Sequence, residues 1–166
     1  MKKRDAERER NQKPGRLLEE PKSTLPSQSK LRTTVLKTSV VQFSERGDIA
    51  TKDAGLIVAE WLTNSLSGTG AFIVYERLSF ERITSELQIG LTGLLDEKTI
   101  VAVGKLHGVE TLVVGSVSKV GSQITVNARL VDTLTGRVLD TAHTTGYSMS
   151  DISRKMDRLA LELATE

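Results

Sequence analysis

The most restrictive feature of this sequence is a strict alternation of polar and apolar residues over positions 123–130. Side chains of a β-strand point alternately to the two faces of a sheet, so the alternation predicts a strand with one buried face. The residues on the apolar face are Ile124, Val126, Ala128 and Leu130. The opposite face carries Thr125, Asn127 and Arg129, and we expect these three side chains to face solvent or a protein partner.

Two further strands are predicted on either side of this one. Segments 110–119 and 137–145 are both rich in β-branched residues, which favour strands. Gly121 and Ser122 form a tight turn before the central strand, and residues 132–136 form a turn after it. Short turns join antiparallel neighbours, so the sequence predicts an antiparallel three-stranded meander.

Before residue 110, apolar residues recur at spacings of three and four, which is typical of helices. In chain order we predict a strand over 35–43, a polar connection over 44–52, a helix over 53–66, a strand over 72–75, and helices over 77–88 and 96–107. A last helix begins at Ser150. A helix joins the first two strands, which are therefore expected to be parallel. The fold class is α+β (mixed α/β): a single mixed sheet of about five strands packed by about four helices, in the order β-α-β-α-α-β-β-β-α.

The same pattern assigns helix ends and core positions. Asp53, Asp96 and Ser150 stand where helix N-caps are expected. Helical spacing places Trp61 and Leu106 on apolar stripes. The other residues on these stripes are Ala54, Val58, Leu62, Leu66, Ile100 and Val103. The short strand over 72–75 is expected to be buried on both sides.

Composition changes near residue 34. Residues 1–34 carry ten Lys and Arg against five Asp and Glu, hold all three prolines, and contain no aromatic residue. Such a segment buries too little apolar surface to offset the entropy of ordering it, so we predict a disordered basic tail over 1–34 and one domain over 35–166. A basic arm for nucleic acid or anionic lipid is the alternative, but acidic residues interrupt the basic ones. No nucleic-acid partner is expected.

Few residue types for chemistry are present. The chain has no cysteine and only two histidines, which excludes a thiolate site, a cysteine nucleophile and a multi-His metal centre. We expect no catalytic residues, no metal and no cofactor, and therefore no enzyme. Tyr75, Glu76 and Arg77 are the candidate ligand-binding cluster, although local ion pairs at a helix start are the simpler interpretation. His107, at a helix end, is interpreted as a capping residue.

Three motifs together resemble a known family. Residues 69–77 read TGAFIVYER, residues 104–117 read GKLHGVETLVVGSV, and residues 129–139 read RLVDTLTGRVL. In this order, and over about residues 35–145, the chain is similar to the CsgG-like family. That family includes the periplasmic domain of the curli secretion channel, flagellar assembly lipoproteins and the penicillin-binding-protein activator. The motifs are a signal of fold rather than of chemistry, because one fold hosts many functions.

The resemblance implies a non-enzymatic envelope assembly or accessory domain, of the curli, flagellar or cell-wall type. Its partner would be another protein of the bacterial envelope or a second copy of the chain. Channel members of the family insert long amphipathic hairpins into this domain. Two membrane strands and a turn need more than about 20 residues, and the connections here are shorter, so we expect a member that is not itself a pore.

The resemblance also implies a periplasmic or outer-membrane-associated location. The sequence contains no apolar run of about 18–20 residues, so no transmembrane segment is expected. Neither a signal peptide nor a cysteine for lipid attachment is present in these 166 residues. A cytoplasmic oligomeric scaffold is therefore one alternative, and a small ligand-binding domain is another.

Overall fold

A computed structural model describes residues 30–87 and 95–166, in which a six-stranded mixed sheet is packed by five helices. The strands are β1 (Leu36–Val40), β2 (Ser44–Arg46), β3 (Phe72–Val74), β4 (Thr111–Val120), β5 (Gln123–Asp132) and β6 (Val138–Gly146). The helices are α1 (Ala54–Gly68), α2 (Phe80–Leu87), α3 (Glu97–His107), α4 (Met149–Arg154) and α5 (Met156–Leu163). The α+β class and the single mixed sheet are therefore confirmed.

The sheet has the strand order β3-β1-β4-β5-β6. Strand β1 pairs in parallel with β3 and with β4, and β4, β5 and β6 form the antiparallel meander that the sequence predicts. The parallel pairing of β1 and β3 follows from the helical crossover through α1.

The sequence prediction was wrong at strand β2, where it placed a polar connection over residues 44–52. Strand β2 pairs in parallel with β4, beyond the point where β1 stops. Thr38 pairs with Thr111 and Ser44 with Ser116, so the β1–β2 side carries one extra residue, as in a β-bulge. At the bulge the amide of Phe43 donates to the carbonyl of Gly55 in α1 instead of to the sheet, at 3.2 Å.

Helices cover the two faces of the sheet unequally. One core cluster joins α1, α4 and α5 to the face that carries Val113, Val126 and Leu130. A second and smaller cluster joins α2 and α3 to the other face, around Leu112 and Val114. Within the described residues, no helix is both long and apolar enough to cross a membrane.

One of the three predicted N-caps, Asp96, has the expected geometry at the expected place. The side chain of Asp96 accepts from the amide of Thr99 at 2.8 Å, and Gly108 ends α3 in the left-handed conformation with φ 63°. Asp53 precedes α1 but has φ 55° and makes no side-chain cap. The last helix pair is capped by Ser148, whose hydroxyl accepts from the amide of Asp151, so the prediction of Ser150 was wrong by two residues.

Three core predictions need correction. Leu106 is 53 % exposed, because it lies about 240° around α3 from Ile100 and so faces away from the sheet. Trp61 is only partly buried, since it lies at the margin of an α1 stripe centred on Leu62. Strand β3 is an edge strand and not a doubly buried one, and its Ile73 is 52 % exposed.

The first described residues contact the C-terminal end of the chain. The amide of Arg32 donates to the carbonyl of Ala164 at 2.9 Å, and Leu31 forms an antiparallel bridge with Thr165. The Arg32 guanidinium is 10 % exposed and pairs with Asp140 at 3.4 Å and with Glu166 at 3.5 Å. Residues 30–32, which the sequence placed in the tail, therefore contact the domain, and residues 1–29 lie outside the described part.

Candidate protein-binding surface

The polar face of β5 lies on the side of the sheet away from α1, α4 and α5. Ile124, Val126, Ala128 and Leu130 are buried in the larger core cluster. Asn127 and Arg129 are exposed, and Thr125 is partly exposed. The structure thus brings the three predicted partner-facing residues onto one accessible surface, and their binding role stays a prediction.

Strand register determines which residues lie beside them. Asn127 pairs with Ser116 of β4 and with His143 of β6, and Thr125 pairs with Ser118 and Thr145 in the same way. Arg129 pairs with Thr141. Paired residues in a sheet point to the same face, so these hydroxyl, amide and imidazole groups form one polar surface.

Strand β2 adds an arginine to this surface. The side chain of Glu45 accepts from the amide of Gly55 at 2.8 Å, so Glu45 faces α1 and its neighbour Arg46 faces the opposite side. Arg46 pairs with Ser118 and is exposed. We call this surface the open sheet face. It consists of Arg46, Ser116, Ser118, Thr125, Asn127, Arg129, Thr141, His143 and Thr145.

The outer edge of the sheet at β6 is partly closed by side chains. Asp140 accepts from the amide of Thr141 at 2.7 Å, and the ammonium group of Lys155 donates to the carbonyl of Thr145. A cavity of about 300 Å³ lies between β6 and α5, where Arg158 pairs with Glu162 at 3.2 Å. Capped edge groups oppose the pairing of another strand, so the face of the sheet is a better candidate for binding than its edge.

The predicted ligand-binding cluster is placed at the end of the other edge strand. The Tyr75 side chain is exposed, and the charged groups beside it have separate partners. Glu76 lies 3.6 Å from Arg82 of α2, whereas Arg77 lies 3.7 Å from Glu60 of α1. The Glu76–Arg82 pair is a local ion pair of the kind that the sequence suggested, whereas Arg77 pairs with α1, 17 positions earlier in the chain. A ligand-binding role for the cluster stays a prediction.

An ion-pair network between α2 and α3 was not predicted. His107, interpreted from sequence as a capping residue, has its Nε2 atom 2.8 Å from Glu86, and Arg82 donates to the same carboxylate at 3.0 Å. The His107 contact lacks hydrogen-bond geometry. The hydrogen bond from Arg82, with the charge of His107, holds the pKa of Glu86 below its usual value. Glu86 and His107 are 21 positions apart, so no local spacing signals their contact.

Within residues 30–87 and 95–166, no group of three or more His, Asp or Glu side chains is placed to hold a metal ion. The structure brings together the polar residues of the meander and of β2, whereas it disperses the charges of Glu76 and Arg77. Sequence reasoning missed Arg46 and His143 as members of the open sheet face. Alternation along β6 could have found His143, but nothing local marks the strand that carries Arg46.

Comparison with solved structures shows where this fold occurs. The PelC dodecamer from Paraburkholderia phytofirmans has 16% sequence identity and a TM-score of 0.55, covering 84% of this chain and 96% of the PelC chain. The LpoB C-terminal domain from Escherichia coli has 16% identity and a TM-score of 0.52, covering 67% of this chain and 82% of that domain. At such low identity these similarities establish the fold alone.

No curated protein sequence matches the chain significantly. The sequence profile of one family does match, over residues 27–124, which is more than half of the chain. That profile describes the curli production assembly/transport component CsgG. The match ends at the start of β5, so it covers all three parallel strand pairs and the crossover helices α1, α2 and α3. The chain therefore belongs to the CsgG family of curli production assembly/transport components.

Proposed function

We propose that this chain is a non-enzymatic accessory domain of bacterial envelope assembly that binds another protein through the open sheet face. Membership of a family of assembly and transport components supports the envelope role. The fold shared with LpoB and with PelC, whose structure is a dodecamer, supports a domain that works through contacts with other proteins or with its own copies.

The observation that carries the proposal is the polar surface on the parts of β4, β5 and β6 that α2 and α3 leave uncovered. A part of a sheet face that no helix covers is expected to be polar, and Asn127, Arg129 and His143 are exposed there. Packing on the opposite face holds these strands in place, so a partner would bind a surface that is already ordered. Rigid polar surfaces of this kind suit protein–protein recognition, in which many groups are matched at once.

The test compares capture of envelope proteins by three forms of the full chain. Wild type and a variant combining Asn127→Ala with Arg129→Ala are immobilised beside the control Arg154→Ala. Arg154 lies on α4, on the opposite side of the sheet, and its side chain is 76 % exposed. We expect the same protein to be captured by wild type and control and lost with the double variant. Equal capture by all three forms would refute the open sheet face as the binding surface.

We propose a periplasmic or outer-membrane-associated location, which the family supports. Fractionation of the native host with an antibody to the chain tests this, and recovery of the protein with the cytosol alone would favour the cytoplasmic scaffold instead.

We further propose that the domain does not form a pore by itself, because its β-strands are all needed to pack the helices. Stepwise conductance from the purified chain in planar bilayers would contradict this.

A further inference from the structure

We propose that the open sheet face binds an acidic protein surface, with Arg46 and Arg129 as the two carboxylate-binding groups. This inference rests on the proposed function, since it names the chemistry of a partner bound at that face. It comes from the distribution of charge over the described residues, in which arginines with and without acidic partners lie in different places.

Most arginines of the described part are already neutralised. Five of the eight have a carboxylate oxygen at 3.0 to 3.7 Å, and all five lie outside the three strands of the meander; they are Arg32, Arg77, Arg82, Arg154 and Arg158. The other three arginines of the described residues are Arg46, Arg129 and Arg137. Arg137 lies in the turn between β5 and β6, where its charge is felt by Asp132. Arg46 and Arg129 thus remain as guanidinium groups whose donors face solvent.

The open sheet face contains no carboxylate. Its other members are hydroxyl, amide and imidazole side chains, although residues 35–166 hold 16 acidic against 13 basic residues. A face that lacks acids on a slightly acidic domain is locally positive, and an acidic partner complements it. Guanidinium groups bind carboxylates with two parallel hydrogen bonds, which gives orientation as well as attraction.

The strand register sets the spacing between the two groups. Arg46 is level with Thr125, and Arg129 is four residues further along β5 and two strands across. Four residues of strand span about 14 Å and two strand separations about 10 Å, so the backbones of the two arginines are about 17 Å apart. Asn127 and Ser116 lie between them and offer neutral donors and acceptors. The partner should therefore carry carboxylates roughly 15–20 Å apart, with polar uncharged groups between them.

The experiment follows backbone amide shifts of the isotope-labelled full chain on titration with poly-L-glutamate of about 20 residues, a defined acidic polypeptide. We expect shifts at Arg46, Asn127, Arg129 and His143, which weaken between about 0.05 M and 0.5 M salt because exposed charges are screened. The variant combining Arg46→Glu with Arg129→Glu should bind about tenfold more weakly, since each exposed pair contributes only modestly. The control Arg154→Glu should bind as wild type does.

Each amide shift is assigned to one residue, so the titration distinguishes binding at the open sheet face from binding at the basic N-terminal segment. Poly-L-glutamate is attracted to that segment as well. Shifts confined to residues before 30, or unchanged affinity in the double variant, would overturn the inference. Equal or stronger binding of a single-stranded oligothymidylate at the same amides would also overturn it, because the face would then accept any polyanion. So would shifts that depend on protein concentration alone, which would indicate a second copy of the chain.

Arg46 and Arg129 are both exposed, so reversing their charge should leave the fold intact. The amide spectrum of each variant verifies this. The neutral variant combining Arg46→Gln with Arg129→Gln should show an intermediate loss of affinity. The inference and the proposed function fail differently. If poly-L-glutamate does not bind but capture of an envelope protein is still lost in the variant combining Asn127→Ala with Arg129→Ala, the acidic partner is refuted and the binding face is retained.

Discussion

Replacing Phe43 by alanine tests whether the bulge between β1 and β2 is central to the stability of the domain. The Phe43 side chain is fully buried, in the cluster that joins α1 to β4. Truncating a buried phenylalanine costs about 3–5 kcal/mol, because transfer energy is lost and a cavity remains. A typical domain has only about 5–15 kcal/mol of stability, so we expect Phe43→Ala to lose a large part of it.

The chain provides its own probe for the measurement. Trp61 is the single tryptophan and packs partly buried against the same cluster, so its fluorescence should report unfolding in urea. We expect a lower urea midpoint with an unchanged slope, since the surface exposed on unfolding is nearly the same. The matched control is Val120→Ala, at a side chain that is 81 % exposed, which should change stability by less than about 0.5 kcal/mol.

A coupling measurement makes the test more specific. A Cβ on Gly115 would lie 2.7 Å from the Phe43 ring and 2.1 Å from the carbonyl oxygen of Asn127. Gly115→Ala should therefore destabilise the protein alone, and less so when Phe43 is already alanine, with a coupling above about 0.5 kcal/mol. A loss below about 1 kcal/mol in Phe43→Ala, or strictly additive effects, would refute the packing described here.

Three further substitutions test other parts of the structure. Arg32→Ala removes a buried guanidinium that binds two carboxylates, and should lower the free energy of unfolding by about 1–3 kcal/mol in a thermal or urea titration. Gly104→Ala would place a Cβ 2.2 Å from Thr133 where α3 crosses the β5–β6 turn, and should cost about 1–3 kcal/mol in the same assay. The hydroxyl of Thr135 lowers the pKa of Asp132, so this carboxylate stabilises the fold above its unfolded pKa of about 3.9 and less as pH falls through its folded value. The difference in stability between wild type and Asp132→Asn should therefore shrink from pH 7 to pH 3, and a constant difference would contradict this.

How far the fold could be predicted depends on whether an element has a repeating pattern. Strand β5 alternates over residues 123–130, and the buried face of that stretch was predicted residue by residue. Strand β2 has three polar residues and no apolar position, so no period reveals it, and only pairing with β4 makes it a strand. Leu106 and Trp61 show a different failure: each lies on a real helix, but the direction of the core around that helix is set by tertiary packing.

The candidate site was predictable only along a single strand. Alternation placed Thr125, Asn127 and Arg129 together because they share β5. Adding His143 and Arg46 requires the register of strands that are 16 and about 80 positions away, and register depends on turns and bulges rather than on composition. Contacts of this kind are long-range, as is the pairing of Glu86 with His107, and a sequence carries no local sign of either.

The connectivity of the chain explains why one face of the meander is left open. The crossovers through α1 and through α2 and α3 lie between parallel strands and cover β1 and β4, whereas the meander is joined by tight turns that leave no residues for a helix. After β6 the chain continues into α4 and α5, which pack on the face already shared with α1. Helices α2 and α3 cover the second face of β5 only at Val131, and no described element remains to cover the rest of that face on β5 and β6. The residues there are polar, as a solvated or partner-bound face requires. If the open face were only a solvated surface, Arg46 and Arg129 could be replaced without consequence for any binding, which is the outcome that the charge-reversal variant distinguishes.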